Sequence, residues 1–554
     1  MNPLIDDFFV FRTSNENLRC GPATTIADPE VRDIAFPRAD FDGAAWQLLI
    51  GLLQTAYAPA DYEAWEALWT EPPSQADLAR AFEPCRHAFE CFGDGPRFMQ
   101  DYQALEETKP SSVASLLIET PGEQGIKFNT DHFNKRGLAD VMCPRCAVMA
   151  LFTMQINAPS GGQGHRTGLR GGGPLTTLVL PPDDAEPLWR KLWLNVLPQD
   201  WFAPQTRDQQ AGFDDWRLFP WLGPTRTSDT AGSETTPVDV HPLHVYWAMP
   251  RRFRLLREEQ PDECAICGEA SEARVTQLRN RNRGYNYTGP WRHPLTPYTG
   301  NTEVSGQELN PMKGQYGGLG YRHWESLVLD KTDKRRGHLP AQVVQDYPDK
   351  ARELTGGAPG QHRARLWAFG YDMDNMKPRG WYVSYMPLFG VPREAGQQER
   401  LLAWLDVMTA AANNAASQVR NGVKAAWYNR PGDAGGDFGF IDRRFWEATE
   451  PAFYDSLADL VAATATATDG MMPPEVAKAW YRTVGEQASA VFDGLVFGGD
   501  AEAAVMRRAM NARRTMQKKV MGTKEMKQLR AWGGLDQATN KSSTASDAAA
   551  TEVQ

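Results

Sequence analysis

The sequence predicts an α+β protein: a large mixed α/β N-terminal domain over residues 1–393, then a C-terminal four-helix bundle over residues 394–535, then a disordered tail over 536–554. Three observations predict it. Beyond residue 394, apolar side chains recur at helical spacing through four long stretches separated by proline and glycine. Before it, short strand-like and short helical runs alternate irregularly, as in a mixed domain. Two Cys-x-x-Cys pairs, far apart in sequence, both fall in that first part.

Length and composition set the limits. The chain has 554 residues, 42% of them apolar and 23% charged, so two or three domains with sizeable cores are expected. No window approaches 18 uninterrupted apolar residues, and the N-terminus carries acids where a signal peptide needs base, which argues against a membrane location. The seven cysteines, an odd number in a large chain, point to a reducing compartment; a cytoplasmic location is expected. The net charge of −10 disfavours a general nucleic-acid binder, but local distribution matters more than the sum. Residues 273–294 hold Arg274, Arg279, Arg281, Arg283 and Arg292 without an acid, interleaved with Tyr285, Tyr287 and Trp291. Residues 506–530 hold nine basic residues against Glu525 alone.

In chain order, residues 1–12 read as an opening strand. Residues 44–57 read as a strongly apolar helix, residues 60–81 as helix broken at Pro72 and Pro73, and residues 111–119 as a short helix. Residues 128–142 follow, a polar loop with His132, Phe133, Asn134, Lys135 and Arg136; taken alone, it also fits a solvated turn.

Cys143, Cys146, Cys264 and Cys267 carry the strongest chemical signal. Two thiolates separated by two residues can reach one tetrahedral ion, and two such pairs complete a closed structural zinc site with no open position for catalysis. Redox dithiols or buried cysteines are the competing reading. Such an ion would set the loop before Cys143 and the arginine strip after Cys267 on a common base.

A glycine-rich loop follows the first pair, with Gly161, Gly162, Gln163, Gly164, His165, Arg166 and Arg170 and no acid between residues 158 and 173. It is no P-loop, because Gly-Lys-Ser/Thr is missing, and a strand begins after it, at residues 174–180, where a dinucleotide fingerprint needs one before. It is either a flexible connector or a segment whose backbone approaches a large anion such as nucleic acid.

No catalytic set is present. His241 and His244 flank Pro242, which spoils the helical face of a metalloprotease motif. Asp372 and Asp374 lie in a turn over residues 371–379 with no histidine or third carboxylate beside them. The four C-terminal runs cover about 397–429, 440–466, 473–497 and 500–531. Leu401, Leu402, Leu405 and Met408 share one face of the first, and Trp446, Phe453, Leu457 and Leu460 one face of the second.

Together these segments resemble the CasA family, the large subunits of the type I-E CRISPR surveillance complex Cascade. The resemblance rests on the opening MNPLIDDFFVF, on Phe98-Met99-Gln100, on Cys143-x-x-Cys146 with the glycine loop and PLTT after it, on Cys264-x-x-Cys267-Gly268, on Trp291-x-His293-Pro294, on Phe369-Gly370-Tyr371 and on the helical C-terminal third. It implies a non-catalytic subunit, partnered by other Cascade subunits with guide RNA, by double-stranded target DNA and by a helicase-nuclease effector. Such a subunit recognises a protospacer-adjacent motif through the minor groove and nucleates R-loop formation, while pairing with the guide reads the target. Carried over by position, the glycine loop falls on residues 160–164. The family's lysine finger falls near Asn282, between Arg281 and Arg283 and after Arg279. Its glutamine wedge falls near Asn375, within Asp374, Asn375, Met376 and Lys377. Residues 131–136 match a contact to the guide RNA end and the motif region. Asparagine replaces lysine and glutamine at two of these places, so the preferred motif is not fixed by the resemblance. A zinc-stabilised nucleic-acid-processing enzyme is the alternative, disfavoured by the missing catalytic constellation.

Overall fold

The computed structural model describes residues 1–120, 137, 139–162, 164–314, 318–355, 364–374, 377–391, 394–467, 470–498 and 503–536, the side chains of 377 and 503–505 excepted. The chain forms two compact units: one comprises residues 1–318 and 326–388, the other residues 319–325 and 389 onward.

The first unit opens with β1 (Phe9–Thr13), β2 (Leu18–Gly21) and β3 (Val31–Ile34), an antiparallel sheet in the order β2-β1-β3. The strand expected from residue 1 starts only at residue 9. Asn2 folds the first residues into a turn: its side chain accepts from the Leu4 N–H at 3.0 Å, and its N–H donates to Asp6 at 2.7 Å. Next comes α1 (Ala39–Ala56), with Trp46, Leu48, Leu49, Ile50, Leu52 and Leu53 all buried. A helix apolar around most of its girth belongs inside a core. α2 (Tyr62–Thr70) and α3 (Gln75–Phe82) are separated at Pro72 and Pro73, and Ser74 with Asp77 forms a capping box on α3.

The helix expected over residues 111–119 is cut down to one 3-10 turn, Val113–Leu116. Ser111–Ser112 form a short strand before that turn, β4, because Ser111 and Ser112 pair with Leu278 and Gln277 of a later strand. Then follow α4 (Pro144–Asn157), β5 (Thr176–Leu180), α5 (Leu188–Trp193), β6 (Arg252–Glu258), β7 (Asp262–Glu263), β8 (Ala270–Ser271), β9 (Arg274–Arg281), β10 (Tyr298–Gly300), β11 (Asn310–Pro311), α6 (Trp324–Val328), β12 (Gly337–Leu339), α7 (Gln342–Leu354), β13 (Ala364–Asp374) and β14 (Lys377–Leu388). Their sheets run β14-β13-β5, β4-β9-β6, β11-β10-β12 and β7-β8, all antiparallel. Of residues 371–379, expected as a turn, the described ones, 371–374 and 377–379, lie in the paired strands β13 and β14, with Tyr371 opposite Trp381 and Asp374 opposite Lys377.

Two packing layers position the functional segments. Phe152 of α4 stacks on Phe98, which meets Trp221 edge-on at 5.1 Å, while Phe89 meets Trp247 at 5.4 Å. Gly43 of α1 lies under the β13–β14 hairpin, so close that an added Cβ would sit 2.7 Å from Phe369 and 2.9 Å from Trp381. Any larger residue there would push the hairpin away.

The second unit is helical: α8 (Ala395–Trp427), α9 (Gly439–Ala463), α10 (Pro474–Val496), α11 (Ala503–Met521) and α12 (Lys524–Trp532). The apolar faces read from the sequence are buried at Leu401, Leu405, Met408, Phe453, Leu457 and Leu460, all at 1% exposure or less, and Trp446 is buried too, but Leu402 is only half-buried and Trp404 takes the inward place beside it. The last expected helix is two, because Thr523 caps a new start by accepting from the Met526 N–H. Tyr321, from the short segment 319–325, donates or accepts at Thr449 at 2.8 Å and stacks on Phe453 at 4.4 Å, which explains why this segment belongs to the helical unit. Among the described residues no helix is long and apolar enough to cross a membrane.

Candidate metal centre and nucleic-acid interface

The two cysteine pairs come from different local structures. Cys143 is the N-cap of α4, with Pro144 at the first helical position, where the missing N–H costs nothing. Its Sγ accepts from the Cys146 N–H at 3.4 Å, and the helix N-terminus favours negative charge on both sulphurs. Cys264 and Cys267 lie in the turn of the β7–β8 hairpin, closed by Gly268, which donates to the Cys264 carbonyl at 2.8 Å and has φ +72°. Backbone bonds join the halves: Ala265 donates to Val141 at 2.9 Å, and Met142 and Val275 exchange bonds of 3.0 and 2.8 Å.

All four sulphurs lie within 4.8 Å of one another, and Cys143 and Cys267 are 3.9 Å apart. Tetrahedral coordination at a zinc–sulphur distance of about 2.3 Å needs sulphurs roughly 3.8 Å apart, so the donor set fits one soft divalent ion. Without a cation the thiols oppose one another: Cys143, Cys264 and Cys267 push the Cys146 thiol far above its ordinary range. Arg145, between the first two cysteines, pairs with Glu269 of the hairpin and donates to the Cys20 sulphur at 3.0 Å.

The glycine loop leaves the far end of α4. Its neck is closed by bonds from Gly168 to Ala158 at 3.0 Å and from Gly173 to Asn157 at 3.1 Å. Glycine is required here in two senses. Gly162 and Gly164 have φ of +97° and +81°, and a Cβ on Gly172 would lie 2.7 Å from the Pro159 Cα.

The loop's three basic residues have different fates. Arg170 is 2% exposed and donates to Gln47 at 2.7 Å, Thr296 at 3.0 Å and Thr176 at 3.1 Å; burial pulls its pKa down to about 10. It is a core cation, contrary to its expected place in a cationic surface loop. His165 accepts from Arg251, which also donates to the Pro159 carbonyl. Burial and that guanidinium lower the His165 pKa, so the ring is neutral near pH 7. Arg166 donates to Ser228 at 2.8 Å, and among the described residues no carboxylate pairs with it.

The structure brings the glycine loop against the end of the arginine strip. Arg283 donates its backbone N–H to the Gly164 carbonyl at 2.7 Å, and a Cβ on Gly164 would stand 3.1 Å from the Asn282 Cβ. Arg283 itself has φ +62°, an unusual conformation for a non-glycine residue. The strip is not bare, as its sequence suggested. Arg274 pairs with Glu258 at 3.0 Å and Asp262 at 2.8 Å, Arg281 with Glu107 at 2.8 Å, and Arg283 with Asp229 at 3.2 Å. Arg279 donates to the carbonyls of Glu106 at 2.7 Å and Thr108 at 2.6 Å.

The hairpin meets the neck of the same loop. A Cβ on Gly173 would lie 2.5 Å from Met373 of β13. Near its end Arg379 pairs with Asp372 at 2.6 Å and reaches Asp374 at 3.8 Å, so these carboxylates have a structural cation as partner. His132, Phe133, Asn134, Lys135, Arg136, Gln163, Asn375 and Met376 lie outside the described residues, as does the Lys377 side chain. The histidine pair is structural: His244 is fully buried between the Arg217 carbonyl at 3.0 Å and the Tyr287 hydroxyl at 3.1 Å, and burial lowers its pKa to about 4. Sequence reasoning missed Glu107, Ser228, Asp229 and Arg251, which no local motif marks.

In the helical unit, the second basic strip is partly internal. Arg513 pairs with Asp493 through two bonds of 2.6 and 2.7 Å, and Arg508 caps α8 through the Ala426 carbonyl at 2.9 Å. Arg507, Arg514, Lys518, Lys519, Lys524 and Lys527 are exposed.

Comparison with known proteins gives a family. Residues 4–491 match the model of the CRISPR-associated protein Cse1 family. Among solved structures, Thermus thermophilus CasA (Cse1) is 17% identical, with 94% of this chain and 99% of that chain covered and a TM-score of 0.66. Thermobifida fusca Cse1 is 16% identical, with 96% and 98% covered and a TM-score of 0.64. A chain of a CRISPR RNA-guided surveillance complex is also 16% identical, with 93% and 99% covered and a TM-score of 0.62. At these identities the likeness is one of fold, and the family assignment rests on the match across most of the sequence. The chain belongs to the CRISPR-associated protein Cse1 family.

Proposed function

We propose that this chain is the non-catalytic large subunit of a cytoplasmic, RNA-guided Cascade complex. It recognises a protospacer-adjacent motif in duplex DNA, nucleates unwinding and R-loop formation beside it, and recruits a helicase-nuclease. The observation that carries the reading is the 2.7 Å bond from the Arg283 N–H to the Gly164 carbonyl, which makes the glycine loop and the arginine finger one element. A protruding backbone with few side chains suits a narrow groove, and arginines beside it suit the potential found there.

In this reading Gly161, Gly162, Gln163, Gly164, His165 and Arg166 form the groove-facing loop, and Arg279, Arg281, Asn282 and Arg283 the finger. Asp374, Asn375, Met376 and Lys377 supply the wedge. His132, Phe133, Asn134, Lys135 and Arg136 contact the guide RNA end. The four cysteines hold a structural zinc ion, which would fix the base of β9 and supply no chemistry to DNA.

The test is a complex assembled with guide RNA and this chain, presented with matched targets that differ in the base pairs beside the target. Affinity should vary by about tenfold or more among flanks, and Arg281→Ala combined with Arg283→Ala should erase the variation. Equal affinity for all flanks, or a preference untouched by those substitutions, would refute the reading.

A further inference from the structure

We infer that Glu107 and Asp229 are built-in competitors of DNA: in the DNA-free protein their carboxylates hold the finger arginines that phosphates would otherwise take, and so lower affinity for every duplex and keep DNA lacking the motif largely unbound. The inference rests on the reading of residues 279–283 as a DNA-contacting finger.

Both carboxylates are built into position. The turn carrying Glu107 is pinned by Arg279, which donates to the carbonyls of Glu106 at 2.7 Å and Thr108 at 2.6 Å, and Glu107 then meets Arg281 at 2.8 Å. The turn carrying Asp229 is pinned to both reading segments. Ser228 donates its N–H to the Arg283 carbonyl at 3.1 Å and accepts from Arg166 at 2.8 Å, and Asp229 then meets Arg283 at 3.2 Å. Each turn is thus hydrogen-bonded to the segment whose arginine it neutralises.

Exposure separates these pairs from structural ones. Arg252 and Asp101 are 3% and 0% exposed, an internal tie. Arg281 with Glu107 is 48% and 57% exposed, and Arg283 with Asp229 is 48% and 49%. Exposed pairs are weak, so a phosphate can displace either carboxylate. The displacement subtracts from every DNA encounter alike, so DNA held by phosphate contacts alone falls below the affinity needed to stay bound, while DNA that adds base-edge contacts remains above it.

The experiment uses the full-length chain and a short duplex of unrelated sequence, titrated across a sodium chloride series. Glu107→Gln and Asp229→Asn should each raise affinity about two- to fivefold, and each should steepen the dependence of log affinity on log salt by up to roughly 1. Glu107→Gln should have no effect when Arg281 is already Ala, nor Asp229→Asn when Arg283 is Ala. In the assembled complex both variants should raise affinity for preferred and disfavoured flanks by the same factor, leaving their ratio unchanged. Equal affinity of variants and wild type overturns the inference, as does the same gain in the arginine-free backgrounds, which would mark a general charge effect. If the complex keeps an arginine-dependent flank preference while these variants behave as wild type, this inference alone fails. If the wild-type chain binds no duplex even at low salt, the finger reading fails with it.

Discussion

The two ends of β9 are held by opposite means. At its start, Val275 is bridged to Met142 beside the thiol cluster, where three of the four cysteines are buried and the constraint would be a metal ion's coordination bonds. At its finish, the backbone of Arg281 pairs with Arg252 of β6 and that of Arg283 bonds to Gly164 and Ser228, but the side chains of Arg281 and Arg283 are held by half-exposed ion pairs to Glu107 and Asp229. A buried, directional constraint fixes position, whereas exposed pairs exchange partners at little cost. The strand therefore joins a rigid base to a tip whose side-chain contacts can be replaced by a ligand's.

Substitutions at each end should show this difference, the largest first. Cys146→Ser should remove the ion and lower stability by roughly 3 kcal/mol or more, read as a lower Tm and lost metal by native mass spectrometry. Full metal content and an unchanged Tm would show that no metal holds the base. Gly164→Ala strains a residue at φ +81° and crowds Asn282. At a local cost of about 1–2 kcal/mol, it should reduce flank preference about tenfold with little change in Tm. Arg283→Ala should weaken binding to all duplexes and lower the salt dependence by roughly 1, measured by titration at several ionic strengths. Arg170→Met should leave flank preference unchanged while lowering stability by about 1–3 kcal/mol, because Gln47, Thr176 and Thr296 lose their shared donor. A changed preference there would place Arg170 among the reading residues after all.

The base was legible in the sequence because its chemistry is local: a cysteine pair separated by two residues states its own geometry. The buried faces of α8 and α9 were legible for the same reason, through helical periodicity. Charge was not. A run of basic residues shows neither which side chains turn inward, as Arg170 does, nor which acids the fold brings to the others. Glu107 lies 174 residues from Arg281 and Asp229 lies 54 from Arg283, so nothing near the strip announced them. The short strand at Ser111–Ser112 was missed likewise, since its partner Leu278 is distant and pairing overrode a local helical pattern.

The most direct test asks whether the loop and the finger read DNA as one element. Flank preference would be measured in the assembled complex for Gly164→Ala, for Arg283→Ala and for the two combined. A single element predicts that the double variant loses little more than the worse single one, with a coupling of about 1 kcal/mol or more. Losses that add to within about 0.5 kcal/mol would mean that the two segments contact DNA independently, and the account of their joined backbones as the reading device would be wrong.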